Sequence, residues 1–276
     1  VVIFPQKGWI IKLMDTGQFV STCTTEALVR AAHALKSGSL VAFPTETVYG
    51  LGANASDIHA VKRIYEVKGR PTDHPLIVHI ASMQGIDDWV INIPDFAISL
   101  GRAFWPGPMT LILNCSALAQ DFITGGQDTV GIRVPNHPIA LALLNEFEKI
   151  GGKGVAAPSA NRFGHVSPTT AEAVNNELAK FLSHDDLILD GGPSQVGVES
   201  TIIDCTSDIP KILRPGAITE EMITEITNLP LGQSTGEIRV SGSLEKHYSP
   251  KAIVILDSDP KPGDGFIAMA DFKTPN

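Results

Sequence analysis

The feature that most constrains this chain is an alternation along its length. Short apolar runs stop at Pro, Gly or a polar residue, and segments with helical spacing lie between them. That alternation is the signature of an α/β sheet with helices packed on it. Thr24-Thr25-Glu26 opens one helical segment, with Leu28, Ala31, Ala32 and Leu35 on one face and Gly38 behind it. Leu40 to Phe43 reads as a buried strand that stops at Pro44. Asp57 is placed to cap a helix carrying Val61, Ile64 and Tyr65; Gly69 fits its C-terminal cap and Pro71 bars continuation. Further strands are expected at Leu76 to Ile80, Met109 to Leu113, Val130 to Val134, Gly154 to Ala157, Leu187 to Leu189, Thr201 to Asp204 and Ile212 to Leu213. Further helices are expected over Asp95 to Phe104, His137 to Glu148, Thr170 to Leu182, and from Thr219 to near Asn228.

Composition sets the outer bounds. The chain has 276 residues, enough for one large core, and a formal net charge of −9. Apolar residues at 43% and charged residues at 18% exclude a disordered or collagen-like chain. No apolar run reaches the roughly 18 residues that span a bilayer. The start, Val1-Val2-Ile3-Phe4-Pro5, lacks the basic flank of a signal sequence and lacks a Met, so it is not expected to be the translation start. Cys23, Cys115 and Cys205 are far apart and form no CxxC pair, so neither a zinc site nor a disulfide framework is indicated. A reducing, cytoplasmic setting is the expectation. Leu231 to Ser243 is rich in Gly, Ser and Thr and reads as a linker. Ala252 to Leu256 and Phe266 to Ala270 look like two strands of something else, too short to close a second core.

Four constellations can carry chemistry. Lys68-Gly69-Arg70-Pro71 lies in a stretch, residues 60–70, with a local charge of +3 in an acidic chain. A lysine point charge and a planar guanidinium across a Gly turn suit a phosphate beside a carboxylate. Offsetting a helix dipole is the plain alternative. Ala157-Pro158-Ser159-Ala160-Asn161 follows a strand, where small polar groups can hold phosphate oxygens, or simply make a turn. Phe43 to Gly52 is a strand end followed by a polar, Gly-bearing loop without Walker spacing. Arg133, Glu199-Ser200-Thr201 and Arg214 sit at ends of apolar strands; for any single arginine, pairing with a nearby carboxylate is the better reading. No GxSxG, HExxH or assisted cysteine is present.

Taken together and in order, these strings resemble the YrdC-like family of L-threonylcarbamoyladenylate synthases. The matches run from Phe43-Pro44-Thr45-Glu46-Thr47-Val48-Tyr49-Gly50-Leu51 through Lys68-Gly69-Arg70-Pro71, Pro75 to His79 and Trp105 to Thr110. They continue with Val130 to Pro138, Ala157 to Asn161, Ser167-Pro168-Thr169, Ser200 to Asp204 and Leu213-Arg214-Pro215-Gly216. They cover about residues 22 to 225. His247-Tyr248-Ser249-Pro250 resembles the HYxP linker motif of longer, two-domain members.

The resemblance implies an open, twisted, mixed parallel and antiparallel α/β sheet with helices around a concave cationic groove. It implies a catalytic domain over residues 20–230, a linker over 231–250, and the beginning of a small Rossmann-like domain over 251–276. The activity implied is L-threonine + bicarbonate (or CO2) + ATP → threonylcarbamoyl-AMP + pyrophosphate. ATP enters as a substrate with Mg²⁺, and no tightly bound cofactor is expected. By motif position, Lys68 and Arg70 are the expected catalytic cations on phosphate and carbamate oxygens. Ser159, Asn161, Ser167 and Arg214 should contact the nucleotide, with Thr72 and Thr129 as weaker candidates. Thr45, His79, Arg133 and Ser200 should surround threonine, and Tyr248 should lie over the groove. The partner implied is a downstream transferase that modifies tRNA beside the anticodon; no membrane is involved. An RNA-binding module using the groove directly is the competing reading, disfavoured by the negative charge and by aromatics at 6%. A hydrogenase-maturation role is a third; it would call for Cys-rich zinc modules, and no CxxC is present.

Overall fold

A computed structural model describes residues 19–234 and 236–241. The expectations for Tyr248 and for 251–276 lie outside the described residues. The chain forms, in order, Val20–Thr22 (β1), Thr25–Lys36 (α1), Val41–Phe43 (β2), Gly50–Asn54 (β3), Ile58–Lys68 (α2) and Ile77–His79 (β4). A 3-10 turn at Met83–Asp88 leads to Asp95–Phe104 (α3), Met109–Asn114 (β5), Asp121–Thr124 (α4), Thr129–Arg133 (β6) and Pro138–Lys149 (α5). Val155–Ala156 (β7), Ala171–Leu178 (α6), Leu187–Asp190 (β8), Thr201–Asp204 (β9), Lys211–Arg214 (β10) and Glu220–Thr227 (α7) follow.

The expected caps set the helix ends. Thr24 accepts a hydrogen bond from the Ala27 N–H and Asp57 from those of His59 and Ala60, filling donors the first turn leaves open. Thr170 and Thr219 do the same for α6 and α7. The helix expected to reach Leu182 ends at Leu178, where the chain tightens into an i→i+3 bond from the Phe181 N–H to the Leu178 carbonyl.

The strands form one mixed sheet in the order β1-β8-β2-β3-β7-β4-β6-β5-β9-β10. β1/β8, β8/β2, β4/β6 and β5/β9 are parallel; the other neighbours are antiparallel. Side chains alternate across it. Leu40 and Ala42 enter the larger core with α2, α3, α6 and α7, while Val41 and Phe43 pack with α1 and α5 on the opposite face. Farther along that second face the cover is the segment around Val240, which closes a small cluster with Ile112, Ile202, Ile77 and Ile238. The stretch expected to be a linker therefore lies against the domain as far as Ser241. Val240 anchors it, and Arg239 exchanges hydrogen bonds with Gln127.

β3 corrects the sequence reading. The Gly-bearing stretch after Pro44 is a loop only to Tyr49, then becomes an inner strand between β2 and β7. Glycine hides the apolar alternation that marks a strand, yet the position needs it. A Cβ on Gly52 would lie 2.7 Å from Val155 Cγ1 and 2.8 Å from Phe43 Cε1. Gly52→Ala should lower stability by about 1–3 kcal/mol through overpacking between these side chains. A drop in the urea midpoint at unchanged slope checks this; wild-type stability would refute it.

Candidate active site

The site begins at the C-terminus of α2. Gly69 takes a left-handed conformation at φ 63°, and the Arg70 N–H returns to the Tyr65 carbonyl, a Schellman-type stop. A Cβ there would also sit 2.6 Å from Arg162 Nη2, so the guanidinium would have to shift. This stop leaves the Lys68 ammonium buried, where it donates to the Ser159 carbonyl at 2.6 Å and the Asn161 carbonyl at 2.5 Å. The Phe163 N–H answers by donating to the Lys68 carbonyl at 2.8 Å. The two strongest sequence strings are thus one physical unit. Burial, and then the neighbouring Arg70, push the Lys68 pKa down to about 7.

Beyond this unit lies a groove of about 500 Å³, partly open to solvent. Three arginines face it, each already bonded within the protein. Arg133 Nη2 donates to Glu46 Oε1 at 2.7 Å and to Thr47 Oγ1 at 2.8 Å. Glu46 is fixed in turn by the Asn136 N–H at 2.9 Å. Arg214 donates to the Glu199 carboxylate, to the Ser200 carbonyl and hydroxyl, and to the Ser241 carbonyl. Arg70 Nη2 donates to the Pro75 carbonyl and to Ser241 Oγ, both at 2.9 Å; its buried Nε has no hydrogen bond among the described residues. Burial lowers the Arg70 pKa below its ordinary value.

Register sets the opposite wall. β4 and β6 run parallel with His79 beside Arg133, so both side chains reach the groove from adjacent strand ends. His79 is buried edge-on to Phe43, with ring centroids 6.0 Å apart. Burial, and then Arg133, hold its pKa down at about 3, so it is neutral at ordinary pH. Among the described residues its buried Nδ1 has no hydrogen-bond partner. Thr45 closes a tight turn by donating to the Val48 carbonyl at 2.6 Å. The Ser200 and Thr110 hydroxyls are 2.8 Å apart.

The expected residues separate into groups. Thr45, Arg70, His79, Arg133, Ser159, Ser200 and Arg214 share the groove. Ser167 reaches it through Glu199, to which its hydroxyl donates at 2.9 Å. Lys68 and Asn161 stand behind the wall: the Asn161 amide donates to the Arg162 and His165 carbonyls, and its buried Oδ1 has no partner among the described residues. Lys68 Nζ, expected on phosphate oxygens, holds the Ser159 and Asn161 carbonyls in this structure, fixed acceptors for a buried amine. Thr129 lines a smaller neighbouring hollow of about 270 Å³, which shares Ile77 and Ser241 with the groove. Thr72 is exposed and lines neither. Glu46, Thr47, Glu199 and Ser241 were not singled out from sequence. The first three lie inside the matched or quoted strings, and Ser241 lies in the stretch expected to be a linker.

Among the described residues, no group of three or more His, Cys, Asp or Glu could hold a metal ion. No helix there is long and apolar enough to cross a membrane. The Sua5/YciO/YrdC family profile, described as telomere recombination, matches residues 33–216. The chain belongs to this family. A threonylcarbamoyl-AMP synthase of Pyrococcus abyssi is 47% identical over 237 residues, covering 84% of this chain and 68% of that protein. One of Bacillus subtilis is 44% identical over 263 residues, covering 92% and 72%. The crystal structure of P. abyssi Sua5 complexed with L-threonine superposes with a TM-score of 0.77 at 43% identity, covering 85% of this chain and 69% of that one. The mixed α/β architecture expected from sequence is that of this Sua5/YrdC relative.

Lys68 generates a pH prediction. Its pKa is about 7 in the folded chain against an ordinary 10.5, so the unfolded chain holds more protons between those values. The cost of burying its charge is fully present below pH 7 and fades as pH rises toward 10.5. Wild type should therefore gain stability relative to Lys68→Met between pH 7 and 9.5. Urea midpoints at three pH values for both proteins check this; parallel profiles would contradict it.

Proposed function

We propose that this chain is a threonylcarbamoyl-AMP synthase, acting on L-threonine, bicarbonate or CO2, and ATP. The observation that carries the reading is the convergence of Arg70, Arg133 and Arg214 with Thr45, His79, Ser159 and Ser200 on one small groove, in a chain whose relatives bear that name. The threonine amine attacks CO2 and sheds a proton, giving a carbamate. A carbamate oxygen then attacks the α-phosphorus, and pyrophosphate leaves. No enzyme nucleophile is needed; the task is to hold two anions together and stabilise charge at phosphorus.

Arg133, steadied by Glu46, faces the threonine carboxylate, and neutral His79 with Thr45 and Ser200 shapes the pocket around the amino acid. Arg70 is the cation for the reacting phosphate and carbamate oxygens. Lys68 serves the same oxygens through the Ser159–Asn161 loop that it holds. Ser159, Ser167 and Arg214 take the nucleotide, with the hollow at Thr129 as its extension. Mg²⁺ arrives with the triphosphate. Product passes to a transferase that modifies tRNA beside the anticodon, in the cytoplasm.

Pyrophosphate release should require both threonine and bicarbonate, tested with each amino acid in turn; release indifferent to threonine would sink the reading. Lys68→Ala and Arg214→Ala should each lower kcat/KM by on the order of 10²-fold, and full turnover in both would remove these assignments. For the competing RNA-binding reading, tRNA affinity is the measurement. Weak binding with a shallow salt slope is expected, whereas a steep slope would favour that alternative.

A further inference from the structure

The groove wall carries one carboxylate that the proposed chemistry leaves without a task, Glu199. Its Oε1 accepts from the Ser167 hydroxyl at 2.9 Å, and its Oε2 accepts from Arg214 Nη1. The side chains of Glu199 and Arg214 are 12% and 10% exposed. Ser167 precedes α6 and Arg214 ends β10, so the carboxylate bridges two distant parts of the fold. Two anionic oxygens held by a hydroxyl on one side and a guanidinium on the other reproduce the arrangement of a bound phosphate.

We propose that the Glu199 carboxylate is an internal stand-in for a nucleotide phosphate, seated between Ser167 and Arg214 and displaced when the nucleotide binds. This rests on the reading of Ser167 and Arg214 as nucleotide contacts. A desolvated guanidinium is costly unless an anion accompanies it. Glu199 supplies that anion. It also competes with the ligand, because a phosphate and a carboxylate repel each other at contact distance. The surrounding chain has room for the exchange: Val196 and Val198 are 38% and 51% exposed, and a Cβ on Gly197 would meet no atom within 4 Å.

The test is calorimetric titration of the full chain, wild type and Glu199→Gln, with a non-hydrolysable ATP analogue, with pyrophosphate and with adenosine. The variant keeps the shape and removes the charge. Glu199→Gln should bind the analogue and pyrophosphate on the order of tenfold tighter, with adenosine affinity unchanged. A residue that merely orients Arg214 would give the opposite result, weaker phosphate binding, and that result or an unchanged affinity overturns the proposal. If wild type binds neither the analogue nor pyrophosphate, the nucleotide reading itself falls, and the stand-in with it. Circular dichroism checks folding. Should Glu199→Gln not fold, Glu199→Asp withdraws the carboxylate by one methylene and must show the same phosphate-specific gain.

Discussion

The structure around the groove depends on one buried lysine. Lys68 sits at the end of a helix and holds two carbonyls that lie 91 and 93 positions further along the chain. Removing an ammonium from water is unfavourable unless fixed acceptors surround it. The Ser159 and Asn161 carbonyls supply them, so Lys68 ties the loop to the end of α2. The reciprocal bond from Phe163, and the Arg162 guanidinium bonded to the Val67 carbonyl at 2.5 Å, tie the same loop to the same helix end. Gly69 makes this possible by ending α2 in a conformation that other residues resist. The string Lys68-Gly69-Arg70 therefore works as a hinge pin, with the lysine facing inward and the arginine facing the groove.

Charge pairing is the second constraint. Three guanidinium groups around about 500 Å³ would repel one another if each stood alone. Arg133 is matched by Glu46 and Arg214 by Glu199, while Arg70 is held by a carbonyl and a hydroxyl. Each pair is nearly buried, so breaking one by truncating a single partner would leave an uncompensated charge. The overall charge of −9 and a cationic groove are thus compatible. Some of the acidic residues accompany the arginines inward, and the pairs keep the guanidinium groups in fixed directions before any ligand arrives.

Much of the framework was legible because its signals are local. Thr24, Asp57, Thr170 and Thr219 cap the helices they precede, and Gly69 ends α2 as its position implied. β3 was not legible, since Gly50 and Gly52 remove the side chains from which a strand is read. The groove residues lay in recognisable strings, yet their roles did not follow from those strings. Whether Lys68 points at a ligand or at Ser159 depends on tertiary contacts between segments far apart in sequence. The reading that each strand-end arginine pairs with a carboxylate held for Arg133 and Arg214 alike, and it does not remove them from the groove. Ser241 was hidden by composition. A Gly- and Ser-rich stretch reads as a tether, but Val240 is 6% exposed and seats the segment against Ile112 and Ile202.

The dimensions and electrostatics of the groove bear on what class of ligand it suits. Its walls are side chains that converge: Arg133 and His79 from adjacent strand ends, Arg214 and Ser200 from β10 and the approach to β9, and Ser159 from the loop after β7. An extended nucleic-acid strand is held by a running track of cations and exposed aromatic faces. Here the cations point toward a common space, and neutral His79 is sealed against Phe43 with its ring edge-on. Convergent, prepaired cations around a confined volume favour compact polyanions whose charge is concentrated on a few atoms. A triphosphate beside an amino-acid carboxylate has that form. A polymer with one charge per nucleotide does not, and no part of this wall repeats along a line that such a polymer could follow.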